Sequence, residues 1–295
     1  MSHGLRIGFI GAGRLGKALA YSFAAAGLCV RAVASSSAAS ASELATGIAG
    51  CEAMAAQAVV DACDLVFLTM PDAAITPTCA SLRWRPEVSV VHCSGVTEVQ
   101  SLAAARDQGA AIGGFHPMQT FGDTAAAVAS LPGSTITIEA AEPLNATLVS
   151  LAGQLGCRVN RLPPGMRARY HAAAGFTSQF INALFAEAAR VWESWGATEA
   201  DALQAMMPMA RGTLASIESS GIAQGMPGPV SRGDVGSVEK HVVALGALSD
   251  HTLNFYRTLC ASTVTLALER GSIDQDTARR IREVLAGKPA VRNGG

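Results

Sequence analysis

The sequence predicts an α/β domain with a mostly parallel sheet, followed by an all-helical domain. Three observations support this fold class: apolar runs alternate with alanine-rich helical stretches in the first half, no strand pattern follows residue 164, and 295 residues suffice for about two domains. Pro163, Pro164 and Gly165 interrupt the chain, because prolines remove backbone donors and glycine loosens the backbone. We therefore expect domains at residues 1–164 and 165–295.

The first half contains eight short apolar or alternating runs with the length and β-branched content of strands. We expect strands at residues 5–10, 28–34, 52–54, 65–69, 88–92, 110–115, 134–138 and 158–162. Alanine-rich segments with helical spacing lie between several of them, namely residues 15–26, 38–46 and 144–155. Because parallel strands need a crossover connection, this alternation predicts helices that cover a mostly parallel sheet.

The second half has helical spacing only. Residues 167–195 contain regularly spaced apolar side chains, no proline and no glycine except Gly175, so they are expected to form one long helix. Further helices are expected at residues 197–218, 235–248, 250–270 and 274–285. This domain is therefore predicted to be all-helical.

Composition and charge argue against several classes of partner. The 22 Lys and Arg residues and the 23 Asp and Glu residues give a formal net charge of -1 without a cluster of one sign, which disfavours nucleic acid and anionic lipid. The mean hydropathy of +0.29 comes from dispersed alanine and not from one apolar block of about 20 residues, so no membrane span is expected. A small molecule is the expected partner.

Cysteine usage and the first residues of the chain favour a cytoplasmic protein without a metal site. Seven cysteines are an odd number and have no C-x-x-C spacing, which suits neither a disulfide framework nor a zinc site. The chain enters a strand-like run without the charged start, apolar stretch and cleavage site of a signal peptide. Cytoplasm is therefore the expected compartment.

A glycine-rich loop follows the first predicted strand and precedes the first predicted helix. Its residues are Gly11, Ala12, Gly13, Arg14, Leu15 and Gly16, in the spacing G-x-G-x-x-G. In this context Gly11 allows a tight turn, Gly13 lets the backbone approach a pyrophosphate, and Gly16 lets the helix pack closely on the strand. The first domain is therefore predicted to be a Rossmann domain that binds NAD(P) at the start of this helix. A glycine-rich turn without a ligand is the alternative.

The end of the second predicted strand indicates which dinucleotide binds. An acidic residue there would hold the ribose 2′-hydroxyl of NAD, but Ser35 and Ser36 occupy this part of the sequence. Hydroxyl and helix-start N–H groups can donate hydrogen bonds to a 2′-phosphate, and Arg14 would add a cation. We therefore expect NADP, with NAD the less favoured cofactor, unless the serines only cap the next helix.

Further candidate residues stand where predicted strands end. They are Met70, Pro71 and Asp72 after one strand, Cys93 and Ser94 after the next, and His116 after a third. Ligands of parallel α/β sheets lie beyond the carboxyl ends of the strands, so the first five are expected to border the nicotinamide half of the cofactor. Structural roles are the alternatives: Asp72 caps a helix, Cys93 fills space, and His116 holds its loop.

Several motifs occur together in an order that resembles a known family. They are Met70-Pro71-Asp72, His92-Cys93-Ser94-Gly95, Phe115-His116-Pro117-Met118, Tyr170-His171-Ala172-Ala173-Ala174 and Gly228-Pro229-Val230-Ser231-Arg232-Gly233-Asp234. With the glycine loop, they resemble the Rossmann-like oxidoreductases that carry a helical C-terminal domain of unknown function. These proteins stand beside the ketopantoate reductases and the 6-phosphogluconate dehydrogenase-like proteins, and the resemblance spans residues 5–285.

The resemblance implies an NAD(P)-dependent dehydrogenase whose second domain is like the C-terminal domain of 6-phosphogluconate dehydrogenase and forms a homodimer. It does not fix a substrate. Related hydroxyacid dehydrogenases and the better-known ketopantoate reductases place a catalytic lysine at the start of the first long helix, with an asparagine four positions on. The matching positions here are His171 and Gly175, so the lysine role is not carried over.

His171 is the candidate substitute for this lysine. On a continuous helix it would share one face with Gly175, Ser178 and Asn182, which follow at spacings of four, three and four. An unperturbed imidazole has a pKa of about 6.5 and exchanges protons near neutral pH, so His171 and His116 are the candidate proton donors. The alternative is that His171 is only packed and hydrogen-bonded on an alanine-rich face.

Arg232 suits the role of an anchor for a substrate carboxylate, since a guanidinium binds a carboxylate through two parallel hydrogen bonds. Ser94, Asp234 and His241 complete the candidate substrate-binding residues, with His241 two helical turns beyond the arginine loop. A helix-capping role for Asp234 and a structural ion pair for Arg232 stay open.

Together these residues predict an NADP-preferring oxidoreductase acting on a CH-OH or CH-NH group, which reduces a small carboxylate-bearing 2-oxo acid such as ketopantoate. One alternative is a cyclic-imine reductase of the pyrroline-5-carboxylate reductase type. Another is a dinucleotide-binding sensor or scaffold that has lost its chemistry. The apolar content of residues 167–195 favours a homodimer through the helical domain.

Overall fold

The computed structural model describes residues 4–287, which form two compact units. The first unit ends at Ser178 and the second begins at Gln179. The sequence places the domain boundary earlier, after residue 164. The difference arises because the helix that follows the prolines packs on the sheet of the first unit, where Arg167 pairs with Glu139.

The first unit contains one eight-stranded sheet. Its strands are β1 (Arg6–Ile10), β2 (Cys29–Ala34), β3 (Glu52–Ala53), β4 (Leu65–Leu68), β5 (Ser89–His92), β6 (Ala111–Pro117), β7 (Thr135–Ala140) and β8 (Arg158–Arg161). Their order is β3-β2-β1-β4-β5-β6-β7-β8. All neighbours are parallel except β6 and β7. The predicted fold class, an α/β domain with a mostly parallel sheet, is confirmed.

Helices cover both faces of this sheet. They are α1 (Arg14–Ala25), α2 (Ala38–Thr46), α3 (Ala56–Ala62), α4 (Asp72–Ser81), α5 (Ala103–Arg106), α6 (Thr124–Ser130), α7 (Leu144–Gln154) and α8 (Arg167–Phe176). Alternate strand residues enter two separate hydrophobic clusters: Phe9 and Phe67 stack in one, whereas Val66 and Leu68 belong to the other. Because β1, β4, β5 and β6 are parallel, their carboxyl ends meet at one edge of the sheet.

The second unit is all-helical apart from a short 3-10 turn, Val230–Arg232, among its described residues 179–287. Its helices are α9 (Gln179–Glu193), α10 (Glu199–Ser220), α11 (Val235–Leu248), α12 (Asp250–Arg270) and α13 (Gln275–Leu285). The last three enclose a core around Val238, Val264 and Ile281. No helix within residues 4–287 is long and apolar enough to cross a membrane.

The prediction of one continuous helix over residues 167–195 is wrong. The chain forms α8 and α9 instead, and the break lies at Thr177 and Ser178. Both hydroxyls donate to the carbonyl of Ala174, at 3.3 and 2.8 Å, and the N–H groups of Thr177 and Ser178 bond to carbonyls three residues back instead of four, so the α-helical pattern ends here. Regular apolar spacing did not reveal this local competition.

Candidate active site

The glycine loop between β1 and α1 has the backbone that its sequence predicts. Gly11 has a φ of +117°, and a Cβ on it would lie 2.7 Å from the carbonyl carbon of Thr69. A Cβ on Gly16 would collide with the carbonyl oxygen of Gly11, whereas a Cβ on Gly13 would meet no atom within 4 Å. Gly11 and Gly16 therefore allow the close packing of the loop, and Gly13 leaves space beside the loop for a ligand.

A cavity of about 540 Å³ opens beside this loop. Seven of the predicted cofactor-binding residues line it: Gly11, Ala12, Gly13, Ser35, Ser36, Met70 and Pro71. Sequence reasoning missed Ser40, Met54, Thr69 and Thr78, which also line it. Thr69 could have been predicted from the sequence, because it directly follows β4 and ligands lie beyond the ends of such strands.

Other predicted cofactor residues do not line this cavity. Cys93 is buried in the core, where burial raises the pKa of its thiol. This position fits the alternative role of Cys93, which is to fill space in the core. Asp72 begins α4 without a side-chain capping bond. Arg14 is exposed, Leu15 packs against the core, and Gly16 packs on Gly11 as described above.

The three serines that follow β2 have different hydrogen-bonding environments. Ser37 caps α2 by accepting a hydrogen bond from the N–H of Ser40, and the Ser35 hydroxyl accepts one from the N–H of Ser37. Ser36 is exposed at the cavity and forms no hydrogen bond within residues 4–287. Capping therefore occupies Ser35 and Ser37, and Ser36 keeps its hydroxyl for a ligand.

A second group of side chains lies where β5 and β6 end. The Nδ1 atom of His116 and the hydroxyl oxygen of Tyr170 are hydrogen-bonded at 2.7 Å, with the two rings at 90°. The ring of His171 lies 6.3 Å from that of His116. A Cβ on Gly95 would lie 2.9 Å from His116 Nε2 and 2.5 Å from His171 Cδ2, so the bare glycine makes room for both imidazoles. The two candidate proton donors named from the sequence, His116 and His171, therefore lie beside each other.

A buried arginine supports this histidine cluster. The Arg167 side chain is fully buried, and it donates to Glu139 Oε2 at 2.6 Å and to the carbonyl of Ser94 at 2.8 Å. The guanidinium covers Gly114, where any side chain would collide with it. Sequence reasoning missed Arg167 and Glu139, although an acidic residue inside an apolar strand was a usable signal.

Burial keeps the imidazoles of His92 and His116 neutral. Burial lowers the pKa of His116 to about 4, and the nearby His171 and Arg167 add to this effect. Burial and the Arg167 charge lower the pKa of His92 to about 3. Burial raises the pKa of Tyr170, and the nearby Thr137 hydroxyl partly offsets this rise. At neutral pH His116 and Tyr170 therefore form a hydrogen-bonded pair of uncharged groups.

Ser94 forms hydrogen bonds that shape the loop after β5. Its hydroxyl accepts hydrogen bonds from the N–H groups of Val96 and Thr97, at 3.3 and 2.9 Å, and thus shapes the loop after β5. Its carbonyl is the acceptor for Arg167. Ser94 thus connects the loop to the buried arginine, and it does not line the glycine-loop cavity.

The predicted common face of His171, Ser178 and Asn182 does not exist. Ser178 lies in the break after α8, where its hydroxyl donates to Ala174, and Asn182 belongs to α9 of the second unit. The spacing argument required a continuous helix, which the chain does not form. His171 keeps its place beside His116 because it lies on α8, before the break.

The remaining predicted residues lie in the second unit. Asp234 caps α11 by accepting from the N–H of Ser237 at 3.0 Å, which matches its structural alternative. Arg232 is exposed in the 3-10 turn before it. His241 shares a hydrogen bond of 3.0 Å with the Tyr256 hydroxyl and lines a cavity of about 240 Å³. Within residues 4–287, no group of three or more His, Cys, Asp or Glu side chains is placed to hold a metal ion.

Two family models match parts of the chain. A model described as NADP oxidoreductase, coenzyme F420-dependent, matches residues 6–94, and a model of a domain of unknown function, DUF2520, matches residues 134–263. A search of curated proteins found no match.

Solved structures are similar over most of the chain. A protein from Bacteroides fragilis, assigned as an NADP oxidoreductase, is 25% identical, with 89% of this chain and 98% of that chain covered and a TM-score of 0.70. A reductive aminase from Aspergillus terreus, in complex with NADPH and ethyl levulinate, is 17% identical over 99% and 95% of the chains with a TM-score of 0.61. A 1-pyrroline-5-carboxylate reductase from Streptococcus pyogenes is 16% identical over 96% and 97%, with a TM-score of 0.57.

The fold, the glycine loop and these matches define the class as a Rossmann-fold oxidoreductase with a helical second domain. The family model for residues 6–94 and the Bacteroides structure are both of NADP oxidoreductases, so the comparisons support the predicted preference for NADP.

Proposed function

We propose that the protein reduces a small carboxylate-bearing 2-oxo acid such as ketopantoate with NADPH, in the cytoplasm. The observation that carries this proposal is the uncharged pair of His116 and Tyr170, at the same carboxyl edge of the sheet as the glycine-loop cavity. A dinucleotide-dependent reductase needs a cofactor site and a proton donor at this edge.

The residues around the glycine loop fit a phosphorylated dinucleotide. The N–H groups at the start of α1 and the open space at Gly13 would hold the pyrophosphate. The exposed hydroxyl of Ser36, together with the start of α2, would hold a 2′-phosphate. When bound, NADPH supplies the hydride, and the chain's own groups must supply the proton.

His116 is the better of the two candidate proton donors. Its ring is partly buried and one nitrogen is fixed by Tyr170, whereas His171 is exposed on α8. A donor that reacts repeatedly with one substrate atom must keep a fixed orientation, because a misplacement of about 1 Å can cost about 100-fold in rate. His171 then borders the site and contacts solvent.

Arg232 remains our candidate for binding the substrate carboxylate. Its guanidinium is exposed, and a planar guanidinium binds a carboxylate through two hydrogen bonds. Arg232→Met is expected to raise KM much more than it lowers kcat. Arg232→Lys should restore only part of the affinity, because a lysine cannot form the paired hydrogen bonds.

The direct test is NADPH oxidation with a panel of 2-oxo acids, compared between the wild type and His116→Gln. We expect turnover of a small 2-oxo acid and a fall in kcat of about 100-fold in the variant, since a positioned proton donor contributes about that much. Tight NADPH binding without oxidation of any substrate in the panel would contradict the proposal and favour the sensor or scaffold.

A cyclic imine is the second candidate substrate. The reductive aminase and the pyrroline-5-carboxylate reductase share the fold over nearly the whole chain. An imine nitrogen is basic enough to be protonated from solvent before hydride transfer, so it depends less on an enzyme proton donor. If imines are the substrates, His116→Gln should leave their turnover nearly unchanged, and the oxo acids should be inert with the wild type.

A further inference from the structure

A row of polar side chains crosses three strands beside the proposed proton donor. His116 on β6 is the register partner of Thr137 on β7, and Thr137 is the partner of Asn160 on β8. Paired residues of adjacent strands project to the same face of a sheet, so these three side chains form one line. Tyr170 of α8 joins this line through its hydrogen bond to His116.

The hydrogen bonds in this row have a defined direction. The Asn160 amide Nδ2 donates to Thr137 Oγ1 at 3.2 Å, which leaves the Thr137 hydroxyl proton for another acceptor. Thr137 is fully buried, and its nearby hydroxyl lowers the pKa of the Tyr170 phenol, which burial raises. Of the two groups joined at 2.7 Å, the phenol is the stronger acid and the neutral imidazole is the stronger base, so Tyr170 donates its proton to His116 Nδ1.

This direction leaves one nitrogen of His116 to carry the ring proton. A neutral imidazole has one donor and one acceptor nitrogen, so an acceptor Nδ1 requires the proton on Nε2. Nε2 is the nitrogen that faces Gly95 and His171, away from Tyr170.

We propose that Tyr170 is a positioning residue that fixes His116 as the Nε2–H tautomer and thereby aims its proton at the substrate. This role rests on the proposed reduction. As the Nε2–H bond breaks and the proton joins the substrate oxygen, the Tyr170 O–H proton moves to Nδ1, so His116 stays neutral and Tyr170 becomes a phenolate. Nε2 then takes from solvent the one H⁺ that the reduction consumes, and the Nδ1 proton returns to the Tyr170 phenolate, which restores both groups.

The tautomer is measured directly by nitrogen NMR of the full chain labelled with ¹⁵N-histidine at neutral pH, with His116→Gln to assign the signal. We expect the wild type to show Nε2–H only, and Tyr170→Phe to show a mixture of tautomers. Tyr21→Phe is the matched control, because this half-buried tyrosine of α1 lies in the same unit and forms no hydrogen bond within residues 4–287. An unchanged His116 signal in Tyr170→Phe would overturn the inference.

Kinetics test the catalytic part of the role. Tyr170→Phe should lower kcat for the oxo acid about 100-fold with little change in KM, whereas Tyr21→Phe should match the wild type. Thr137→Val should give a smaller fall, because it removes a polar neighbour of Tyr170 but leaves the hydrogen bond between Tyr170 and His116 in place. A wild-type kcat in Tyr170→Phe would overturn this part. An inactive wild type would instead overturn the proposed function, and the NMR result would still decide whether Tyr170 sets the tautomer.

Discussion

The guanidinium of Arg167 lies over Gly114, in the space that a side chain at that position would occupy. Gly114 is the register partner of His92 on β5 and of Glu139 on β7, so the arginine lies between an imidazole and a carboxylate on one face of the sheet. This row is parallel to that of His116, Thr137 and Asn160, two residues further along β6. The ion pair of Arg167 and Glu139 thus lies beside the hydrogen-bonded pair of His116 and Tyr170.

The ion pair of Arg167 and Glu139 is expected to be essential for stability. Among the described residues, Glu139 is the only anion bonded to the fully buried guanidinium, so Glu139→Gln should lower the free energy of unfolding by about 3 kcal/mol. Urea denaturation of the full chain measures this change.

The control for that experiment is Glu52→Gln, which breaks the exposed pair of Arg31 and Glu52. An exposed pair contributes about 0–1 kcal/mol, because water and salt screen it. Equal losses for the two variants would contradict a special role of the buried pair.

Two glycines of the loop are expected to respond differently to the same substitution. Gly16→Ala forces a methyl group against the carbonyl of Gly11 and should lower the melting temperature as well as the affinity for NADPH. Gly13→Ala meets no protein atom and should leave the melting temperature unchanged while it weakens NADPH binding, since the methyl group occupies ligand space. Thermal denaturation and fluorescence titration with NADPH separate the two effects; parallel changes in both variants would argue against the assigned roles.

The sequence was sufficient for features that depend on local signals. Eight strands follow from runs of apolar residues, and the glycine loop is identified by its own spacing between a strand and a helix. The pair of His116 and Tyr170 was not predictable in this way, because its partners are 54 residues apart and meet only through the packing of α8 on the sheet. The row through Thr137 and Asn160 depends on strand register, which a single sequence does not reveal.

The cofactor preference is expected to depend on Ser36. Ser36→Asp places a carboxylate at the exposed position of the cavity where we expect the 2′-phosphate, and like charges repel. We expect NADPH affinity to fall about tenfold or more and NADH affinity to rise, since aspartate accepts hydrogen bonds from a free ribose hydroxyl. Dissociation constants for both cofactors measure this reversal. Ser36→Ala serves as the control and should weaken NADPH without favouring NADH.

A homodimer through the second unit is expected from its exposed apolar side chains. Met209 and Leu214 of α10 are 69% and 57% exposed, and Leu184 of α9 is 41% exposed. Exposed apolar surface of this kind favours association. Sedimentation equilibrium should give twice the 30.2 kDa of one chain, and Met209→Glu should give the single-chain mass. Ser219→Glu, on the same helix, should remain dimeric; a wild type at the single-chain mass would refute the prediction.

Stability is expected to fall with acidification between about pH 6.5 and pH 4, because His92 and His116 are held neutral in the folded state. Their folded pKa values, about 3 and about 4, lie below that of an unfolded histidine, so the unfolded chain binds more protons in this window. The free energy of unfolding is highest above the pKa of an unfolded histidine. It decreases as the pH falls, by up to about 1.4 kcal/mol per pH unit for each histidine. Urea denaturation at a series of pH values gives this slope. His116→Gln should reduce this slope by the contribution of one histidine. An identical slope in the variant and the wild type would show that His116 is not held neutral.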